Sequence, residues 1–336
     1  MTLPVYSHPT LTVLVDDSDS FLKSLSFQLK PQLASKTFYD SRAALDWLKR
    51  STRRDDLPLH ANFDTQNQPP AQCNVAFDVE QIYRISERRE RFATPAVLVV
   101  DYSMPQMNGI EFCEALRHLP CKKILFTGAA DEKIAVNAFN RGLIDRYIKK
   151  SDERALDQLE TEIVALQADY FAGQSETLRE LMVLHNSPFL RDPAITALVR
   201  ELAPRMGFVE HYIFPNPSGI LFLDRHGKAM LMIIETEKGF GSQYEIARDS
   251  DAPPSLLYAL QERRVIPFFS DAEGDGMYAS GMGDNWHRYC AAPQICDGLE
   301  RYFWALFELP AHYFAAPVLS HAQFLRELHA PDGMAA

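Results

Sequence analysis

The sequence predicts an α/β domain over 1–152, built as a doubly wound, parallel five-stranded sheet. A long helix over 153–173 joins it to an α+β domain over 174–336. Three observations carry this. Strand and helix patterns alternate through the first half, as in a parallel sheet with helices on both faces. Several of those strands stop on a carboxylate, hydroxyl or ammonium side chain, and open α/β sheets build their sites at strand carboxyl ends. At 336 residues the chain is long enough to bury two cores.

The elements follow in order. LTVLVDD at 11–17 is a short apolar strand ending in two carboxylates, and SDSFLKSLSFQL continues as a helix that Ser18 is placed to cap. Lys36 to Tyr39 reads as a second strand and SRAALDWLKR as a second helix. A strand at 96–100 ends in Asp101, in the run VLVVDYSMPQMNG, and EFCEALRHL follows as a helix. KKILFTG is a strand ending in Thr127, DEKIAVNAFNRG a helix, and RYIKK the last strand. Asp101 taken alone could simply cap its own turn by bonding a backbone amide two residues on. Asp16 and Asp17 alone could be acidic residues favoured at a helix N-terminus.

Composition narrows the function. The formal charge of −11, with acidic and basic residues interspersed, leaves no basic stripe for phosphate backbones and argues against DNA binding. The five cysteines, at 73, 113, 121, 290 and 296, include no CxxC pair, which argues against a disulfide framework or structural zinc and fits a reduced, cytoplasmic setting. MTLPVYSHPT lacks a basic region followed by a long apolar core, and no apolar run is long enough to span a bilayer; no membrane association is expected.

The acidic pair, DYSMPQMNG, the TG after the fourth strand and the aromatic plus lysine of the fifth together resemble the receiver domain of two-component response regulators, a flavodoxin-like fold. The resemblance implies a stoichiometric phosphoacceptor rather than an enzyme. Asp101 takes a phosphoryl group from a sensor histidine kinase, a histidine phosphotransfer protein or a small phosphodonor. Converging carboxylates repel one another unless a hard cation sits among them, and Mg²⁺ suits carboxylate oxygens with water and phosphate. Asp16, Asp17 and Asp101 would hold it, and by resemblance the backbone carbonyl of Ser103 completes the protein ligands. Lys150 would neutralise the added charge, Thr127 would donate its hydroxyl to a phosphoryl oxygen, and Tyr147 would be the aromatic whose position tracks that hydroxyl. Two departures bear on this. The aromatic spacing in RYIKKSD selects Lys150, whereas counting from Gly142 selects Lys149; Lys150 is favoured, and Ser151 stands where the family has Pro. The second departure is an insertion over about 51–95. Its first half, STRRDDLPLHANFDTQNQPPAQ, reads as a loop; its second, FDVEQIYRISERRERF, has helical spacing, and its run of Arg84, Arg88, Arg89 and Arg91 reads as a solvated face.

Leu156, Leu159, Ile163, Leu166 and Tyr170 recur at spacings of 3, 4, 3 and 4, a seam that Gly173 interrupts. Its first turns pack on the sheet; the later ones predict a homodimer through 156–170. Beyond 174 the signal is thinner. Residues 175–206 read as helix broken at SPFLRDP, DRHG as a hairpin turn, 254–264 and about 295–307 as helices. No helix-turn-helix with a basic recognition helix is present, so three outputs stand: a module acting on an unknown protein target by contact, an enzyme effector gated by the receiver, or an atypical DNA binder. Asp224, Glu235, Glu237 and Lys238 suggest a metal nuclease, but a tight DRHG turn puts Asp224 about 20 Å along the strand from Glu235. GILFLDRHGKAMLM also resembles the opening hairpin of PAS-type sensory domains. His287 and Cys290 form an H-x-x-C pair, more often packing than chemistry. The glycine-rich loop with Gly274, Gly276, Gly281 and Gly283 lacks the lysine of a phosphate-binding loop. Trp286, Tyr289, Tyr302, Phe303, Trp304 and Phe307 are expected in the core. The whole layout resembles the Lqs-type response regulators of autoinducer quorum-sensing circuits, whose output module has been likened to a nuclease-like fold.

Overall fold

A computed structural model of the chain describes residues 2–51, 59–61, 75–77, 79–128, 132–185, 187–270 and 276–330. Most of the polar first half of the insertion, with Cys73, lies outside these residues, as does Gly274 of the glycine-rich loop. In chain order the first elements are β1 (Tyr6–Ser7), β2 (Leu11–Val15), α1 (Asp19–Gln28), β3 (Ser35–Phe38) and α2 (Ser41–Ser51). The insertion contributes a hairpin, β4 (Leu59–Ala61) with β5 (Val75–Phe77), and α3 (Glu80–Arg84). Then come β6 (Pro95–Val100), α4 (Gly109–Ala115), β7 (Lys122–Thr127), α5 (Glu132–Asn140), β8 (Arg146–Lys149) and α6 (Ala155–His185). The remainder holds α7 (Pro193–Met206), β9 (Phe208–Phe214), β10 (Gly219–Asp224), β11 (Ala229–Glu235), α8 (Glu237–Asp249), α9 (Pro254–Gln261), β12 (Ile266–Pro267), β13 (Cys290–Ala291), β14 (Gln294–Asp297), β15 (Arg301–Glu308) and α10 (His321–Leu328).

The expected doubly wound sheet is present. Its five strands run parallel in the order β3-β2-β6-β7-β8. Every residue of β2 and β6 is buried, because helices cover both faces of a parallel sheet and leave no solvent side for a polar alternation. Val13, Leu98, Val100 and Leu125 pack with Ala44, Leu48, Phe112 and Leu116 on one face. Each such side chain contributes about 1.5–3 kcal/mol by leaving water. The start of α1 was legible, and that of α4 lies two residues before the run read as helix. Ser18 Oγ accepts from Phe21 N at 3.3 Å to cap α1. Asn108 and Glu111 form a reciprocal capping box on α4.

The second unit is an antiparallel six-stranded sheet in the order β1-β9-β10-β11-β15-β14, with α7 against its β9 and β14 strands and α8 against β11. Two expectations change here. First, the domain boundary is not a single cut: contacts group Met1–Ser7 and Pro58–Arg89 with Ser175–Gln323, while the parallel sheet's unit starts at His8. The reason is local pairing. Tyr6 and Ser7 pair with Tyr212 and His211, and the N-terminal strand is thereby an edge of the antiparallel sheet. The insertion's α3 packs on β9, with Ile82 and Tyr83 buried and the Tyr83 ring 4.7 Å from Phe214. Second, residues 294–308 form a hairpin, not a helix. RYFWALFE is aromatic and buried over four consecutive residues, which suits a packed strand. The turn before it closes tightly: a Cβ on Gly298 would lie 2.3 Å from Asp192 Oδ2. Tyr302, Phe303 and Trp304 are buried as expected, whereas Trp286 and Tyr289 pack on a separate cluster around Phe269 and Tyr278.

Two smaller corrections concern charge and helix length. Arg84 pairs with Glu80 and Arg88 and Arg89 are exposed, but Arg91 is buried with its guanidinium 3.9 Å from the Phe92 ring centre, so the run is not one solvated face. Gly173 does not end the connector helix. α6 runs 31 residues because Leu178 and Met182 continue the buried stripe of Leu159, Ile163, Leu166 and Tyr170. Leu159, Ile163, Leu166 and Tyr170 are buried within the chain, whereas Leu156 is half-buried and Val164 in the same stretch is 55% exposed.

Two outcomes follow from this packing. Gly173 is exposed, and nothing lies within 4 Å of an added Cβ. Gly173→Ala is expected to raise unfolding free energy by about 0.5–1 kcal/mol, read from urea denaturation; a loss of stability would contradict the helix through 173. Asp192 is buried and accepts from Ala194 N at 2.8 Å, capping α7, and from Leu299 N at 2.6 Å, holding the β14–β15 turn. Asp192→Ala is expected to cost about 2–4 kcal/mol; a cost near zero in the same assay counts against this double role.

Candidate functional site

Register brings the two key carboxylates together. Val15 pairs with Val100, so Asp16 and Asp101 are the next residues on neighbouring strands, and Asp101 N donates to Val15 O at 2.9 Å. β2 and β6 also flank the point where the strand order reverses, since β3 lies on one side of β2 and β6 to β8 on the other. Each carboxylate is held in the same way. Asp16 Oδ1 accepts from Ser18 N at 2.9 Å, and Asp101 Oδ2 accepts from Ser103 N at 2.6 Å. The turn-capping role open to Asp101 is therefore real, and it uses one oxygen only.

The other oxygen of each faces Lys150. Its ammonium donates to Asp16 Oδ2 at 2.6 Å and to Asp101 Oδ1 at 2.7 Å. Burial disfavours the charged lysine, but its hydrogen bonds to Asp101 and Asp16 and their negative charges outweigh that and hold its pKa above the ordinary value. The two lysines at the end of β8 have different partners. Lys149 pairs with Glu132 at the surface, while Lys150, whose backbone N donates to Thr127 O at 3.0 Å, enters the site. Thr127 is buried at the end of β7 and Tyr147 is half-buried on β8. Asp17 is exposed beside Asp16.

The donor set suits a hard cation. Three carboxylates and one ammonium leave a formal charge of −2, and all the acidic donors are oxygens, as Mg²⁺ prefers. Lys150 lies between Asp16 and Asp101, and among the described residues no three His, Cys, Asp or Glu side chains converge as a metal-binding group.

Three features escaped the sequence reading. Gly109 opens α4 against the site: a Cβ there would sit 2.3 Å from the Asp101 carbonyl oxygen. The NG step after the loop was its signal, since close backbone approach needs glycine. Gln106 takes a positive φ of 73° in the same loop. Phe21, at the third helical position of α1, lies under Lys150, with the ammonium 4.3 Å from the ring centre. No pattern in the sequence announces that contact.

Candidates in the antiparallel unit do not assemble. Asp224 Oδ1 accepts from His226 N and Lys228 N and so builds the DRHG turn, and Leu223 pairs with Ala229, which puts Glu235 at the opposite end of β11. Burial pushes the Glu235 carboxyl up to about 7, against a hydrogen bond from Gln243 that favours its charged form. Glu237 pairs with Arg263 at the surface. His287 is exposed and bonds Asp284 O, while burial raises the Cys290 thiol to about 12, the reverse of an activated nucleophile.

Comparison with known proteins agrees with this geometry. The family model for the response regulator receiver domain matches residues 66–160. That match begins after Asp16 and Asp17, which the insertion separates from the other motifs in sequence. The Legionella pneumophila response regulator LqsR superposes with a TM-score of 0.76 at 30% identity, covering 98% of this chain and 97% of that one. The cyclic di-GMP phosphodiesterase response regulator RpfG of Xanthomonas campestris pv. campestris (strain 8004) is 41% identical over 64 residues, 18% of this chain. The aligned part spans only 17% of RpfG's length. Matched over nearly its whole length by LqsR, and carrying the strand-end motifs at one sheet edge, the chain belongs to the response regulators of two-component systems.

Proposed function

We propose that the chain is a phosphorylation switch in which Asp101 accepts a phosphoryl group from a sensor histidine kinase or a histidine phosphotransfer protein. The observation that carries this is Lys150 bridging Asp16 and Asp101 at the switch point of the sheet. An oxygen of Asp101 attacks phosphorus, the Asp101 O–P bond forms, and the donor's P–N or P–O bond breaks with its electron pair leaving on the donor. Asp16, Asp17, Asp101 and the Ser103 carbonyl would hold a Mg²⁺ ion, which would supply charge neutralisation to the phosphoryl oxygens. The Lys150 ammonium exchanges its ion pair with the Asp101 carboxylate for one with an oxygen of the new phosphoryl group, and the Thr127 hydroxyl donates to another of its oxygens. The modification adds about −1.5 to −2 charges, enough to draw Thr127 inward, and Tyr147 follows the space it leaves.

The antiparallel unit is read as an output acting by protein contact in the cytoplasm. Support comes from its edge strand β14, where Ile295 and Leu299 beside it are exposed apolar residues at a sheet edge that pairs with no further strand among the described residues. An autoinducer circuit is part of this reading, on the resemblance of the whole sequence layout to the Lqs-type response regulators. Among the described residues no helix is long and apolar enough to cross a membrane.

Incubation with a small phosphodonor and Mg²⁺ is expected to raise the intact mass by one phosphoryl group, with no uptake by Asp101→Asn and none when the metal is chelated. Equal labelling of wild type and Asp101→Asn would sink the assignment.

A further inference from the structure

We propose that Phe21 is a positioning residue for phosphoryl transfer, whose ring face holds the Lys150 ammonium over the site. The proposal rests on the reading of Asp101 as phosphoacceptor and adds a residue to it. A lysine ammonium has three N–H donors and no acceptor. Two directions are taken by Asp16 Oδ2 at 2.6 Å and Asp101 Oδ1 at 2.7 Å. The aromatic ring of Phe21 lies 4.3 Å from the nitrogen, well inside the range over which a ring quadrupole attracts a cation.

The ring is itself fixed. Phe21 N donates to Ser18 Oγ, the cap of α1, and the ring packs on Phe126, 6.2 Å between centres and tilted by 38°. Phe21 and Phe126 wall a small pocket whose polar lining is Asp16 and Asp101. An aromatic there does something an aliphatic cannot. When phosphate arrives, Lys150 must release Asp101 without losing its place to solvent. A carboxylate as third partner would compete with the phosphoryl group for the ammonium, and a methyl-lined wall would only desolvate it. A ring face attracts the cation weakly and carries no net charge, so it holds Lys150 near the site and leaves it free to change anions.

Shape and electrostatics are separable at this position. In the full-length protein, replacing Phe21 by mono-, di- and trifluorophenylalanine keeps the ring in place and weakens its negative face stepwise. The rate of phosphoryl uptake from a small phosphodonor with Mg²⁺ is expected to fall in graded steps, to about 3-fold to 10-fold below wild type for the trifluoro ring, while Phe21→Tyr retains most of the rate. Phe21→Leu should fall as far as the trifluoro variant. A second readout needs neither metal nor donor. In wild type the ring current should shift the Lys150 ε-methylene protons upfield of the other lysines by NMR, and Phe21→Leu should abolish that shift. Wild-type labelling with a flat fluorination series, or ε-methylene protons at the ordinary lysine position, overturns the role of Phe21 and leaves Asp101 standing. Wild-type protein that takes up no phosphoryl group overturns the phosphoacceptor reading and this role with it.

Discussion

The ammonium of Lys150 is the constraint on which the parallel unit's functional edge depends. Parallel pairing places Asp16 and Asp101 on adjacent strands at the same height, where two buried carboxylates repel. A backbone amide two residues on satisfies one oxygen of each, but an amide does not cancel charge. Lys150 cancels one of the two, and it can do so only because β8 pairs with β7 and Thr127 O receives the Lys150 amide. Three strand ends are thus held by one cation. The residual negative charge, with Asp17 beside it, is what the proposed divalent cation would neutralise. The pairing of lysine and carboxylate makes it responsive to any change in the charge of Asp101.

The antiparallel unit is organised by a different constraint, since its sheet takes strands from both ends of the chain. β1 precedes the whole parallel unit and yet pairs with β9, and the insertion between α2 and β6 returns to place α3 on the same strand. The chain therefore passes between the units at Ser7–His8, within the insertion, at Arg89–Glu90, at Gln174–Ser175 and at Gln323–Phe324. A fragment of 1–152 would carry β1 and α3 without the sheet they pair with, exposing Val5, Ile82 and Tyr83, which are buried here. This is a different arrangement from two domains strung on one linker.

How much the sequence disclosed follows from how local each cause is. Asp16, Asp101 and Thr127 were legible because each ends a short apolar run, and strand ends are local. Lys150 was legible from its spacing to Tyr147. The membership of β1 and α3 was hidden because the partner, β9, lies far along the chain, and nothing in YS or EQIYR names it. The hairpin at 294–308 was misread because RYFWALFE has no polar face: burial on both sides removes the alternation that marks a strand, leaving an apolar run that fits a helix equally well. The length of α6 was underestimated because one exposed glycine costs about 1 kcal/mol, less than the burial of the apolar stripe on either side of it. Phe21 could not be found from pattern, since its contact with Lys150 arises from two elements that meet only in the fold.

The most direct test of the central claim is a double-mutant cycle on folding stability, without Mg²⁺, between Asp101→Asn and Lys150→Met. If Lys150 is what permits two facing carboxylates, Lys150→Met alone should be strongly destabilising, and adding Asp101→Asn should recover part of the loss. The coupling is expected at about 2 kcal/mol. Additive effects, with Asp101→Asn giving no relief in the Lys150→Met background, would contradict the account.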